Sequence, residues 1–210
     1  MKKTKILALA TAAVAIAGCA TMAVEENRAE TYAKAQALLK SSFKENGQAR
    51  LDRLDQDDVQ KACSEIHDGK VLDKAVAAKL EADQAKLIKY PADGKYLGDW
   101  KLGERIAQTG VGMQYSDDPK APSGGNCYAC HELSSAELAY GTIGPSLKNF
   151  GKIRGYTPEM QKYAYGKVYN SQAFSACSNM PRFGHAGILT EKQLQDVVAL
   201  LMDPESPVNK

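Results

Sequence analysis

Only three histidines, His67, His131 and His185, occur in 210 residues, so any site that needs an imidazole has few to draw on. A second Cys-x-x-Cys pair is absent, which removes the zinc site built from two such halves. The formal net charge of +2 is too small to imply a nucleic-acid partner or a generally basic surface. Past the first two dozen residues, no apolar run approaches the roughly twenty residues that cross a bilayer. No proline precedes Pro91, and all eight lie from there on. Composition therefore divides the chain near Tyr90-Pro91, with no proline before that point to break a helix.

At the start, Met1 to Lys5 carries three lysines and leads into the small apolar run Ile6 to Gly18. This run is too short to span, and it reads as a secretory signal over residues 1–23. Ile16-Ala17-Gly18-Cys19 resembles the lipobox of bacterial lipoproteins, in which Cys19 takes the lipid; ordinary cleavage after a small residue such as Ala23 is the competing reading. The expected location is the periplasm, with or without an amino-terminal lipid anchor, and that compartment is oxidising. Of the five cysteines, setting aside Cys19 and the Cys-x-x-Cys pair leaves Cys63 and Cys177. An even remainder in an exported chain suggests a disulfide, against two separate buried thiols.

Residues 24–90 are rich in Ala, Lys, Glu, Gln and Leu, all favourable in helices. Leu51, Leu54, Val59, Ala62, Cys63 and Ile66 recur at roughly helical spacing, as do Val71, Ala75, Val76, Leu80 and Leu87, with Gly47 and Gly69 as breaks. The expectation is a helical extension whose apolar stripes pack on their own domain. Over 91–210, short helices alternate with loops of Gly, Pro, Ser and Asn. Trp100, Leu102, Ile106 and Ala107 mark one helix, with Gly98 and Gly103 offering close backbone approach. Thr190-Glu191-Lys192-Gln193 forms a capping box ahead of Leu194, Val197, Val198 and Leu201. The expected fold class is all-α; taken with the run Cys127-Tyr128-Ala129-Cys130-His131 that lies between them, these two helices fit a class I cytochrome c-like domain with an additional helical N-terminal region, although alone they would fit many small helical domains.

The chemistry lies in Gly124-Gly125-Asn126-Cys127-Tyr128-Ala129-Cys130-His131. Cys-x-x-Cys-His is the spacing that attaches a c-type haem: Cys127 and Cys130 add to the vinyl groups as thioethers, and His131 is pinned beneath the iron. The rival reading of a bare Cys-x-x-Cys is a thiol redox pair. One motif implies one covalently bound haem c. For the second axial ligand, Ser178-Asn179-Met180-Pro181-Arg182 presents Met180, with Pro181 fixing the backbone and Asn179 placed to orient the sulfur. Met113, Met160 and Met202 are rivals, Met202 reading as core, and His185 is the alternative ligand. A His131/Met180 iron has no open position, which points to outer-sphere electron transfer. Gly144-Pro145-Ser146-Leu147 fits the loop that backs the proximal imidazole. Six basic residues, Lys148, Lys152, Arg154, Lys162, Lys167 and Arg182, oppose the single Glu159 between 148 and 182. Most read as a solvated face, with Arg182 the candidate for a haem propionate or an interface.

Taken with Gly98-Asp99-Trp100-Lys101-Leu102-Gly103-Glu104, Cys177-Ser178-Asn179-Met180-Pro181-Arg182-Phe183-Gly184, Gly187-Ile188-Leu189-Thr190 and Asp203-Pro204-Glu205-Ser206-Pro207-Val208-Asn209, these segments resemble the SoxX family, the monohaem cytochrome subunits of the bacterial sulfur-oxidation complex SoxAX. The resemblance covers about residues 90 to 210. It implies a non-catalytic subunit of a thiosulfate-joining enzyme, an L-cysteine S-thiosulfotransferase, in a heterodimer with a SoxA-like cytochrome. It further implies transient encounter with the carrier SoxYZ and a small c-type cytochrome as electron acceptor. The alternative is a free periplasmic carrier serving a terminal oxidase. The long extension and the lipobox are less regular features of that family.

Overall fold

The computed structural model describes residues 29–66 and 70–210. The signal segment, Cys19, His67 and Gly69 lie outside the described residues. Among the described residues the chain is helical, with one isolated two-residue bridge between Asn46 and Ala49 and no strand. None of the described helices is long and apolar enough to cross a membrane.

Two compact units are present. The first holds a helix, α1 (residues 29–42), and a 3-10 turn at Leu51–Leu54. Its residues are largely exposed, and Glu45 Oε1 accepts a hydrogen bond from Leu51 N at 3.2 Å.

The second unit takes in residues 46–49 and 55–210, so its packing reaches back across the compositional divide at Pro91. It contains α2 (Asp58–Ser64), α3 (Lys74–Ala85), α4 (Trp100–Gln108), α5 (Phe150–Arg154), α6 (Pro158–Tyr169) and α7 (Glu191–Met202). Each start has a local cause. Asp57 and Thr190 close full capping boxes with Gln60 and Gln193 on α2 and α7, while Asp73, Asp99 and Thr157 cap α3, α4 and α6.

The core forms where α4 crosses α7. A β-carbon on Gly103 would meet Asp196 O at 2.1 Å and Leu200 Cβ at 3.0 Å, so the two backbones touch with no side chain between them. Ile106 and Ala107 of α4 and Leu194, Val197, Val198 and Leu201 of α7 fill the space around this crossing, joined by Leu133, Tyr165 and Met202. Asp196, only 2 % exposed, accepts from Asp99 N at 2.7 Å and pairs with Lys192, so its buried charge is compensated. The penultimate residue, Asn209, is buried and joins two helices: its amide nitrogen donates to Leu201 O and Asp203 O behind α7, and its oxygen accepts from Gly151 N and Lys152 N at the start of α5.

The apolar stripes expected before Pro91 are corrected by the structure. The run from Leu51 to Ile66 is cut by the cap at Asp57, and of it only Val59 is fully buried. On α3, Val76 is 45 % exposed, and Val71 before it is 87 % exposed. The buried residue of α3 is Gln84. This helix docks through polar groups, which the spacing of its apolar residues does not mark.

Candidate functional site

Cys127 to His131 hangs from the end of α4. The last carbonyls of a helix lack intrahelical donors, and here Ile106 O accepts from Gly125 N and Thr109 O from Asn126 N, both at 2.8 Å. Asn126 then turns left-handed (φ 46°), a conformation Asn tolerates better than most residues. A 3-10 turn follows at Cys127–Ala129. Cys127 O accepts from Cys130 N at 3.1 Å and His131 N at 2.9 Å, so both thiols and the imidazole spring from one tight turn.

Residues 141–147 run back along that turn. Gly141 N donates to Tyr128 O, Gly144 N to Cys130 O and Leu147 N to Glu132 O at 2.7–2.8 Å, and Ser146 Oγ donates to Glu132 Oε2 at 2.7 Å. His131 Nδ1 lies 2.7 Å from Pro145 O. A carbonyl can only accept, so the proton sits on Nδ1 and Nε2 keeps its lone pair for a metal. The residues present thus fit a haem-type ligand set: a pre-set imidazole tautomer beside two thiols. Cys127 and Cys130 are unpaired. Burial pushes the Cys127 thiol up to about 12, which keeps it neutral and makes it a poor attacking group for thiol exchange.

Met180 is half-buried and packs against the same core as Cys127, Leu147, Phe150 and Ile188. Its backbone is held on both sides, since Ser171 Oγ donates to Met180 O at 2.5 Å and Met180 N donates to Ser178 Oγ at 3.2 Å. Asn179 is exposed, so two serines anchor this segment. Among the rivals, Met202 is 1 % exposed within the core. His185 is largely exposed; partial desolvation of its ring and the neighbouring Arg182 charge lower its pKa against the opposing pull of Asp57. It belongs to the surroundings of the Asp57–Arg182 pair.

Cys63 and Cys177 are joined in a disulfide. Arg182 departs from the expected propionate or interface role: its Nη1 donates to Asp57 Oδ2 at 2.6 Å and to Gln84 Oε1 at 3.3 Å, and its side chain is 14 % exposed. The carboxylate opposite it makes this an internal tie. Other members of the basic run are also engaged within the molecule. Arg154 lies over Phe150, Lys162 over Tyr90 and Lys167 over Phe174, which leaves Lys148 and Lys152 as the remaining lysines on this stretch.

One part of the site has no counterpart in the sequence reading. Tyr128, inside the motif, donates to Glu104 Oε1 at 3.0 Å, and Gln108 Nε2 donates to the same oxygen at 2.9 Å. Burial raises the pKa of Glu104 against those two bonds, helped by the nearby Glu137 charge. Tyr128 and Glu137 also line an open cavity of about 670 Å³ together with Asn126 and Tyr140. The only local signal was the i, i+4 spacing of Glu104 and Gln108. Among the described residues no cluster of three or more His, Cys, Asp or Glu side chains could hold a separate metal ion.

A helical domain carrying this turn and this imidazole is a c-type cytochrome domain, and the family model for cytochrome c matches residues 115–203. The chain thus carries a domain of the cytochrome c family, and it is 38 % identical over 180 residues to a protein of Aquifex aeolicus (strain VF5) named "Uncharacterized lipoprotein", covering 85 % of this chain and 84 % of that one. A cytochrome c domain implies covalently bound haem c and a general role in electron transfer.

Proposed function

We propose that Cys127 and Cys130 carry a single haem c, that His131 and Met180 are its axial ligands, and that the chain works as a one-electron relay. The bond from His131 Nδ1 to Pro145 O carries this reading, because it prepares one ring nitrogen, and only one, for iron. Bound there, the haem supplies reversible one-electron chemistry. The residues of the chain orient and enclose it. Pro145 and Gly144 hold the imidazole, and the partly buried apolar side chains of Met180, Leu147 and Ile188 would shield the group from water, which would disfavour the more charged ferric state. Held by both His131 and Met180, the iron would have no place left for a substrate.

The finer reading is a SoxX-like subunit, non-catalytic on its own, in complex with a SoxA-like cytochrome. Electrons released when thiosulfate is joined to a cysteine of SoxYZ enter through that partner and leave to a small c-type cytochrome. The residue runs 98–104, 124–131, 177–184 and 203–209 support this reading. The lipoprotein relative and the lipobox-like run ending at Cys19 support an extracytoplasmic, lipid-anchored chain.

Purification from native membranes tests both levels. Covalent haem staining of the denatured chain and co-purification of a multihaem or SoxA-like cytochrome are the expected results. A haem-bearing chain that purifies alone and reduces a terminal oxidase would identify a free carrier. A chain without covalent haem would overturn the relay itself.

A further inference from the structure

Helices α2 and α3 precede the stretch matched by the cytochrome c model, yet they grip the loop that carries Met180 at several points. Asp57 accepts from Arg182 at 2.6 Å. Cys63 is bonded to Cys177. Glu81 Oε1 accepts from Ala176 N at 3.0 Å. Gln84 Oε1 accepts from Asn170 Nδ2 at 2.9 Å and from Arg182 Nη1 at 3.3 Å. The anchor points at 170, 176, 177 and 182 bracket Met180 on both sides. All of these residues belong to one compact unit.

The chemistry of the grip is informative. Apolar burial is not what seats α3, since its buried residue is Gln84. The contacts are directional, and Gln84 and Asn170 are buried, so detaching the helix would leave polar groups unpaired at a cost. Such contacts specify a position more sharply than a greasy face would, and the position they specify is that of one loop.

We infer that Asp57, Cys63, Glu81 and Gln84 are positioning residues for the axial methionine, so that the segment ahead of the haem domain is a brace holding Met180 on the iron and slowing its replacement by outside ligands. This rests on Met180 being the ligand. Release of the loop is a local opening whose free energy includes each contact broken with it. An added ligand reaches the iron only through that open state, so its entry rate reports the opening.

The experiment uses the full-length ferric holoprotein with imidazole as the probe. Imidazole entry is followed by stopped flow, alongside the sulfur-to-iron charge-transfer band. Asp57→Asn keeps an oxygen to cap α2 but removes the charge facing Arg182. Cys63→Ser with Cys177→Ser removes the covalent tie. Asp83→Asn is the control, because Asp83 pairs with Lys79 and Lys86 on the exposed side of α3. Both brace variants should retain the band and admit imidazole faster, Asp57→Asn about two- to fivefold and the disulfide variant about tenfold or more, the latter equivalent to about 1.4 kcal/mol of lost restraint, with the control unchanged. The two variants are independent, so if one fails to fold the other decides. Entry rates equal to the parent in the brace variants, or equally accelerated in the control, overturn the brace. Met180→Ala separates the premise: a band that survives it shows that the ligand assignment is wrong, whatever the entry rates.

Discussion

Gly144 lies flat against the imidazole of His131, and a β-carbon there would fall 2.2 Å from ring atom Cε1. The glycine is thus a steric condition for the ring's position. Gly144→Ala must push the ring or the backbone that also donates to Cys130 O, an overpacking that typically costs about 1–3 kcal/mol. The expected outcome is a severalfold drop in covalent haem per polypeptide, read by a haem-to-protein absorbance ratio, with less loss for a substitution at the exposed neighbour Ile143.

Met180 and His185 make opposite predictions. Met180→Ala should abolish the ferric sulfur-to-iron band and open the iron to added ligands. His185→Ala should leave the band in place, because that side chain keeps company with Asp57 and Arg182. Spectra of the two ferric variants decide the matter.

The disulfide spans 114 residues of sequence. In the chain-entropy model a loop of that size stabilises the folded state by about 4–5 kcal/mol. Cys63→Ser with Cys177→Ser should lower the denaturant midpoint accordingly, and it should also raise the slope of the transition, since the unlinked unfolded chain exposes more surface.

Burial alone would raise the pKa of Asp57, but the Gln60 amide and the Arg182 guanidinium outweigh it and hold the carboxyl below its ordinary 3.8. A carboxyl depressed by folding adds stability that is complete above the unfolded value and is lost as pH falls through the folded one. Asp57→Asn should therefore be less stable than the parent at pH 7, by about 0.5–1 kcal/mol for so exposed a carboxylate. The two stability curves should converge as pH falls through the depressed folded-state value of Asp57.

At the helix crossing, Gly103→Ala puts a methyl group onto Asp196 O, which lies 2.1 Å from the required position. Separation of α4 from α7 should cost about 1–3 kcal/mol. That appears as a melting temperature lower by roughly 2–4 °C for each kcal/mol in a chain of this size.

The parts of this molecule that show in its sequence are those written in local patterns. The motif from Cys127 to His131 is contiguous, α7 announces itself through Thr190, Gln193 and the spacing of its apolar residues, and an even cysteine remainder pointed to Cys63 and Cys177. The docking of α3 left no such trace. Gln84 and Glu81 look like solvent-facing residues of a polar helix, and their partners, Asn170 and Ala176, lie 86 and 95 residues away. Arg182 misled for the same reason. A basic residue near a haem ligand invites a propionate, whereas its actual partner, Asp57, is 125 residues distant and is legible locally only as a helix cap.

Under the proposed haem attachment at Cys127 and Cys130, the four cysteines of the described chain require opposite treatment during maturation. Joining Cys63 to Cys177 needs an oxidant, whereas thioether formation at Cys127 and Cys130 needs both thiols reduced when the haem arrives. Cys63 emerges from synthesis before the haem thiols and its own partner after them, so the first sulfurs it can meet are the wrong ones. Correct assembly then depends on timing: the haem thiols must be kept reduced or already alkylated until residue 177 is available. A chain matured without haem is predicted to accumulate mispaired isomers linking Cys63 to Cys127 or Cys130, detectable by peptide mapping under non-reducing conditions.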